Sequence, residues 1–225
     1  MISEALVFLQ QELSRYILAH QSTVGGPSQD DLNPGDVMLG NISSLESDQD
    51  GRLKNKVLIS LVNIEEESTL KNNKHYLKNP VTNSIEYQQP PVYLNLYVLF
   101  CATLAEPLTS DNYERALHRL SLIIAFFQAK KSFTIQNSPQ SLAAFPVGTD
   151  EALLEELRLH PELYTLTFEQ INHLWGSLGG KQVPFVMYKV RLVKVQVRFT
   201  LDAPLVEDIV GDTKDLVAPK MEAEQ

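Results

Sequence analysis

The chain has a single cysteine, Cys101, so it forms no internal disulfide, which suits a reducing compartment. Long greasy runs are missing too. The longest, "YLNLYVLFCATLA", spans 13 residues, includes Asn95, and is too short for a membrane-spanning helix. Positive charge is in deficit: 19 Lys and Arg against 28 Asp and Glu give a net −9, which argues against general affinity for nucleic acid. The opening "MISEALVFLQQEL" puts Glu4 where a secretion signal needs a positive charge, and it lacks a small-residue cleavage site. The five histidines (His20, His75, His118, His160, His173) are scattered, with no pair at metal-ligand spacing. No serine sits in a Gly-x-Ser-x-Gly elbow. We therefore expect a protein that stays where it is made, is not inserted directly in a membrane, and works without metal, cofactor or enzymatic centre.

What is present is enough apolar material for one good-sized core: 225 residues, 44% of them hydrophobic. Ile2, Leu6, Leu9, Leu13 and Ile17 recur at helical steps, predicting an amphipathic helix to about His20. Val37–Ile42 and Lys56–Ile64 read as strands separated by the polar turn "ESDQDGRLKN". The second is so continuously apolar that both its faces should be covered. Residues 71–89 read as a polar loop leading to a central strand, "PPVYLNLYVLFCA". There Val92, Leu94, Leu96, Val98 and Phe100 face one way, and Tyr93, Asn95, Tyr97 and Leu99 the other.

Ser110 or Asp111 should cap the next helix, buried through Tyr113, Leu117, Leu120, Ile124 and Phe127. "KSFTI" follows as a short strand. A helix over 150–159, stopping before Pro161, and a strand over "ELYTLTF" come next. Thr167 and Gln170 then form a capping box for "FEQINHLWGSL", which Gly179-Gly180 terminates. Cys101 and Trp175 read as core. The fold class expected is α/β (α+β): one domain, a mixed and mostly antiparallel sheet, and three or four helices packed on it. Residues 1–201 would form that domain, and 202–225 an acidic tail, mobile or docked on a neighbour.

Three stretches resemble chemical motifs and fail on spacing. Only three residues separate Gly176 from Gly180-Lys181, not the four a phosphate loop requires, and Gln182 replaces the needed hydroxyl. "ESDQDG" has the acids of a calcium loop's first half, but Val57 occupies the position of the bidentate Glu, so a surface hairpin turn is the better reading. Glu65-Glu66-Glu67 has no histidine beside it and reads as a solvated strand end.

The last strand is the least ordinary. Val186, Tyr188, Val190 and Leu192 share one face, after which the apolar phase slips to Val193, Val195, Val197 and Phe199. A one-residue slip turns a strand over, so it predicts a bulge or a passage between packing surfaces. Lys181, Lys189, Arg191, Lys194 and Arg198 lie along it with no acid between Lys181 and Leu201. Two readings stand: basic protection of a sheet edge, or a docking surface for an acidic partner or for the chain's own tail. The interface candidates are Lys181, Gln182, Tyr188, Lys189, Arg191, Lys194 and Arg198.

Six stretches in order, "ISEALVFL", "VMLGNI", "KVLISLVNIEEESTLKN", "PPVYLNLYVLF", "YERALHRLSLIIAFFQAK" and "NHLWGSLGGKQVPFVMYKVR", resemble the cap or tail-terminator proteins of contractile injection systems. These are phage-tail-like particles with which bacteria deliver toxins. The resemblance implies a phage tail-terminator-like fold and a ring of six copies on the last layer of inner tube and sheath. It also implies assembly in the bacterial cytoplasm and a place in the particle, which can be released or membrane-associated. It carries no active site. Two rival functions are an adaptor joining the tube end to another component, and a small-molecule or nucleotide-binding enzyme.

Overall fold

The computed structural model describes residues 2–20, 33–45, 47–48, 50–70, 76–78, 85–88, 90–104, 109–139, 156–179, 182–195 and 200–202. They fall into two compact units, one of residues 1–73 and 91–196 and a smaller one of 74–90 and 197–225.

The larger unit is built on a six-stranded sheet: β1 (Val37–Leu39), β2 (Val57–Glu66), β5 (Val92–Ala102), β8 (Phe185–Val195), β7 (Arg158–Leu163) and β6 (Phe133–Thr134), in that spatial order. Only β1 and β2 run parallel; every other neighbouring pair is antiparallel. Three α-helices belong to this unit among the described residues: α1 (Ile2–His20), α2 (Ser110–Ala129) and α3 (Phe168–Ser177). The fold class is therefore the one expected: a mixed, mostly antiparallel sheet packed by three helices.

Strand β5 lies at the centre, as its composition predicts, and its alternation divides the core in two. Leu96, Val98 and Phe100 join α1 and α2 through Phe8, Leu13, Ile17, Ile123 and Phe127. Leu99 and Cys101 point the other way, to Leu58, Met187 and Trp175 of α3. Each fully buried large apolar side chain contributes about 1.5–3 kcal/mol. Both faces of β2 are covered over Val57–Ser60, but from Asn63 to Glu66 it is exposed. Burial pushes the Cys101 thiol above its ordinary pKa, in keeping with a core cysteine.

Several expectations are corrected. Strand β1 stops at Leu39, because Ile42 turns inward in a 3-10 turn (Ile42–Leu45) and is buried in the second cluster. Since β1 and β2 are parallel, "ESDQDGRLKN" is no hairpin; it lies in the crossover that parallel strands require. Asp48 shapes it by accepting from the N–H groups of Arg52 (3.1 Å) and Leu53 (2.6 Å), and Gly51 supplies a φ of 67°.

Thr109, one residue earlier than expected, caps α2 by accepting from the Asn112 N–H. That helix buries Ala116, Arg119, Leu122, Ile123, Phe126 and, as expected, Phe127, leaving Tyr113, Leu117 and Ile124 exposed. It is apolar around more than half its circumference, so periodicity alone does not choose the buried side.

Residues 158–159, expected in a helix, start strand β7, which runs through Pro161. Tyr164 N–H donates to the Met187 carbonyl, so alternation points the nitrogen of Pro161 away from β8. Strand β6 pairs only with Arg158 and Leu159, and among the described residues no strand pairs with that side of β7 beyond it, where a proline is tolerated. The capping box of α3 forms as expected: Thr167 Oγ1 accepts from Gln170 N–H (3.3 Å) and Gln170 Oε1 from Thr167 N–H (2.9 Å). Gly179, at φ 106°, ends that helix.

The smaller unit has a three-stranded antiparallel sheet, β3 (Tyr76–Lys78), β4 (Ile85–Gln88) and β9 (Thr200–Asp202), so residues 71–89 are not all loop. Their polarity hides two strands of three and four residues, too short to show periodicity.

Candidate assembly interface

One face of the larger sheet is sealed by α1 and α2. On the other, among the described residues, α3 covers only the half holding Leu58, Leu99 and Cys101. The uncovered half carries a charged ladder over four strands.

Its geometry begins with a bulge. In the β5–β8 pairing, Leu94 faces Val193 and Leu96 faces Val190, so two residues of β8, Arg191 and Leu192, stand opposite Asn95. The phase slip read in the sequence is this bulge. It lets Val190 and Val193, both fully buried, enter the same cluster. By the same alternation Lys189, Arg191 and Lys194 share the opposite face; an unbroken strand would send Lys194 inward. Strand β2 has its own irregularity between Leu61 and Asn63.

Each cation meets a carboxylate of a neighbouring segment. Lys189 Nζ donates to Glu65 Oε2 (3.1 Å), as does Tyr97 Oη (2.7 Å), and Lys189 lies 5.3 Å from the Tyr97 ring centre. Arg191 reaches Glu67 (3.4 Å) and Glu162 (3.3 Å). Lys194 reaches Glu156 (2.8 Å). Glu67 is buried and also accepts from Asn95 Nδ2 (3.0 Å) and Thr69 Oγ1 (2.8 Å). These bonds, Asn95 foremost, hold its carboxyl down at about 2. The Tyr97 hydroxyl and Lys189 lower the pKa of Glu65, and the Glu65 carboxylate raises that of Lys189. Glu162, then Glu67, raises that of Arg191.

The interface candidates thus separate. Lys189, Arg191 and Lys194 come together on this face. Gln182 is exposed beside Val183 and Phe185, at a shallow cleft against Tyr113 and Leu117 of α2. The Tyr188 ring is buried between Phe100 and Phe127, with centres 5.7 and 4.3 Å away, so it packs the core. Lys181 and Arg198 lie outside the described residues. The edge-protection reading is overturned over Tyr188–Val190, which pair with β5 on one side and β7 on the other. Glu67 is not the solvated strand end expected. Sequence reasoning missed Asn95 as its partner, although a lone amide in the greasiest strand was a signal that something polar lay opposite.

Where the ladder meets α3, a cleft of about 590 Å³ opens. Val62, Ile64, Tyr97, Tyr164, Leu174 and Met187 line it, with Gln170 and His173 at its rim. Among the described residues no group of three or more His, Cys, Asp or Glu could hold a metal ion, and no helix is long and apolar enough to cross a membrane. The Gly-Gly-Lys stretch follows a helix end and precedes a strand, an order opposite to that of a phosphate loop.

Residues 5–208 match the family described as the Pvc16 N-terminal domain. The chain belongs to that family. The match reaches into both units and spans α2, α3 and all but the first three residues of α1. Two solved structures are similar to the chain. One is a cryo-EM structure of an extracellular contractile injection system, the PVC sheath/tube terminator in its extended state. It is 14% identical at a TM-score of 0.48, with 94% of this chain and 65% of that one covered. The other is the cryo-EM structure of the anti-feeding prophage cap, an AFP tube-terminating cap. It is 13% identical at a TM-score of 0.49, with 72% of this chain and 51% of that one covered. The chain thus spans about two thirds of the length of the first and half of the second. No curated protein matches the chain.

Proposed function

We propose that this chain caps a contractile injection particle: copies of it form a ring, six by family resemblance, on the last layer of inner tube and sheath and stop their growth. The observation that carries this reading is the family match over residues 5–208. It agrees with the paired charges and the cleft that the described residues present on one face of the sheet. A ring needs a heterologous contact that closes, since one that does not close continues into a filament. Residues 1–201 serve as the capping domain, and the acidic stretch 202–225 docks on a neighbouring subunit.

Within the ring, the face bearing Lys189, Arg191 and Lys194 meets tube or sheath. Because its cations are already paired inside the subunit, that face selects a partner by presenting both signs in a fixed pattern, not by bulk positive charge.

Electron micrographs of particles assembled with and without the chain test this. With it, lengths are uniform and an antibody label on the chain marks one end only. Label spread along the shaft, or lengths unchanged by its omission, overturns the reading.

A further inference from the structure

Asn95 is a polar side chain in the central strand, 2% exposed, and both neighbours of β5 are irregular beside it. An unbroken β2 would set Ile64 opposite Asn95; the shift between Leu61 and Asn63 puts Glu65 there instead. On β8 the bulge sets Arg191 and Leu192 against it. The amide's orientation follows from its partner. A carboxylate only accepts, so Nδ2 faces Glu67 Oε2 (3.0 Å). Oδ1 is then turned away, buried and without a hydrogen-bond partner among the described residues. Such an oxygen costs free energy that an apolar side chain would not. Stability alone does not account for an amide here.

What it supplies is geometry. Of the four carboxylates in the ladder, Glu67 is the buried one, its side chain 8% exposed against 39–57% for Glu65, Glu162 and Glu156. It is held from several sides. Its N–H donates to the Tyr93 carbonyl (2.8 Å), and Oε1 accepts from Thr69 Oγ1 (2.8 Å). Oε2 accepts from Asn95 and from Arg191 Nη2 (3.4 Å), and Arg191 Nη1 reaches on to Glu162 of β7 (3.3 Å). The chain Asn95–Glu67–Arg191–Glu162 thus runs from the middle of the sheet to its surface. A buried amide orients a buried carboxylate, which orients an arginine that is partly exposed. Lys189 and Lys194 instead meet carboxylates that stand in water.

We propose that Asn95 is the positioning residue of the charged face: acting through Glu67, it fixes the orientation of the Arg191 guanidinium. Its consequence for capping rests on the reading that this face meets tube or sheath, but the positioning itself is measured on the free subunit, so the two can fail separately. The test compares the full chain with Asn95→Leu and with Asn95→Leu/Glu67→Leu. Thermal unfolding, hydrogen exchange at Arg191 Nε and the carboxyl titration of Glu67 are followed by NMR and calorimetry.

In Asn95→Leu, Glu67 should titrate above its native value of about 2, and Arg191 Nε–H should exchange at least about tenfold faster than in wild type. The double variant removes both partners of a buried hydrogen bond and strands neither, so it should unfold at or above the wild-type temperature while Arg191 is equally loosened. It keeps the test decisive even where the single change does not fold. Arg191 as protected as in wild type in a folded variant overturns the proposal. So does a double variant well below wild type in Tm, which would make stability the reason for the amide. Particles assembled with the double variant should vary in length; uniform lengths with a loosened Arg191 uphold the positioning and overturn the interface reading instead.

Discussion

Val190 and Val193, three residues apart in one strand, pack into the same apolar cluster. A regular strand would put them on opposite faces, so the bulge at Arg191–Leu192 reconciles the sequence with its core and gathers Lys189, Arg191 and Lys194 on the other side.

This has an unusual corollary. Deleting Leu192 leaves "VRVKV", which alternates without interruption, with valines inward and cations outward. The variant should fold with cooperative unfolding and lose no more than about 1–2 kcal/mol. Deleting Met187 instead reverses Val186 and Phe185 against their neighbours and should abolish the cooperative transition in thermal denaturation.

Glu67 sets an acid limit on stability. Its pKa falls from an ordinary 4.5 to about 2 in the folded chain. A group lowered on folding favours the native state above its unfolded value, and that advantage disappears as pH falls through its folded value. Its contribution is thus present above about pH 4.5 and is lost between there and about pH 2. Glu67→Gln should be less stable than wild type near neutrality and lose less stability on acidification. Urea midpoints measured across that range check both signs.

Trp175 anchors α3, packing edge-on to Phe185 with ring centres 5.3 Å apart. Its Nε1 is buried and finds no hydrogen-bond partner. Trp175→Phe should therefore cost far less than Trp175→Ala, for which cavity formation predicts about 3–5 kcal/mol. Chemical denaturation of both variants separates packing from polarity, and the single tryptophan gives blue-shifted emission in the native protein.

The cationic trio calls for two kinds of substitution. Changing Lys189, Arg191 and Lys194 to Glu sets new carboxylates beside Glu65, Glu67, Glu162 and Glu156, and should lower Tm markedly. Changing them to Gln removes pairs that are each worth about 0–1 kcal/mol where exposed, so the fold should survive. The Gln variant is therefore the one whose particles should vary in length if this face meets tube or sheath.

Much of the architecture could be read ahead of the structure because it rests on local periodicity. The alternation of β5, the amphipathic α1, the Thr167–Gln170 capping box and the phase slip in β8 are short-range signals. What escaped depends on distant pairing. Nothing near Val37 shows that β1 runs parallel to β2, and nothing near Pro161 says that its nitrogen faces away from β8. At the interface, the basic residues were visible but their saturation was not, since Glu65 and Glu67 lie far from them in sequence. Tyr188 was misjudged for the same reason: its burial is decided by Phe127, on a helix that precedes it by some sixty residues.

Pro161 has one more effect. Its nitrogen faces away from β8 and has no hydrogen to donate, so any strand laid along that side would find a gap in its ladder at this position. A single imino acid thus marks where main-chain pairing is interrupted.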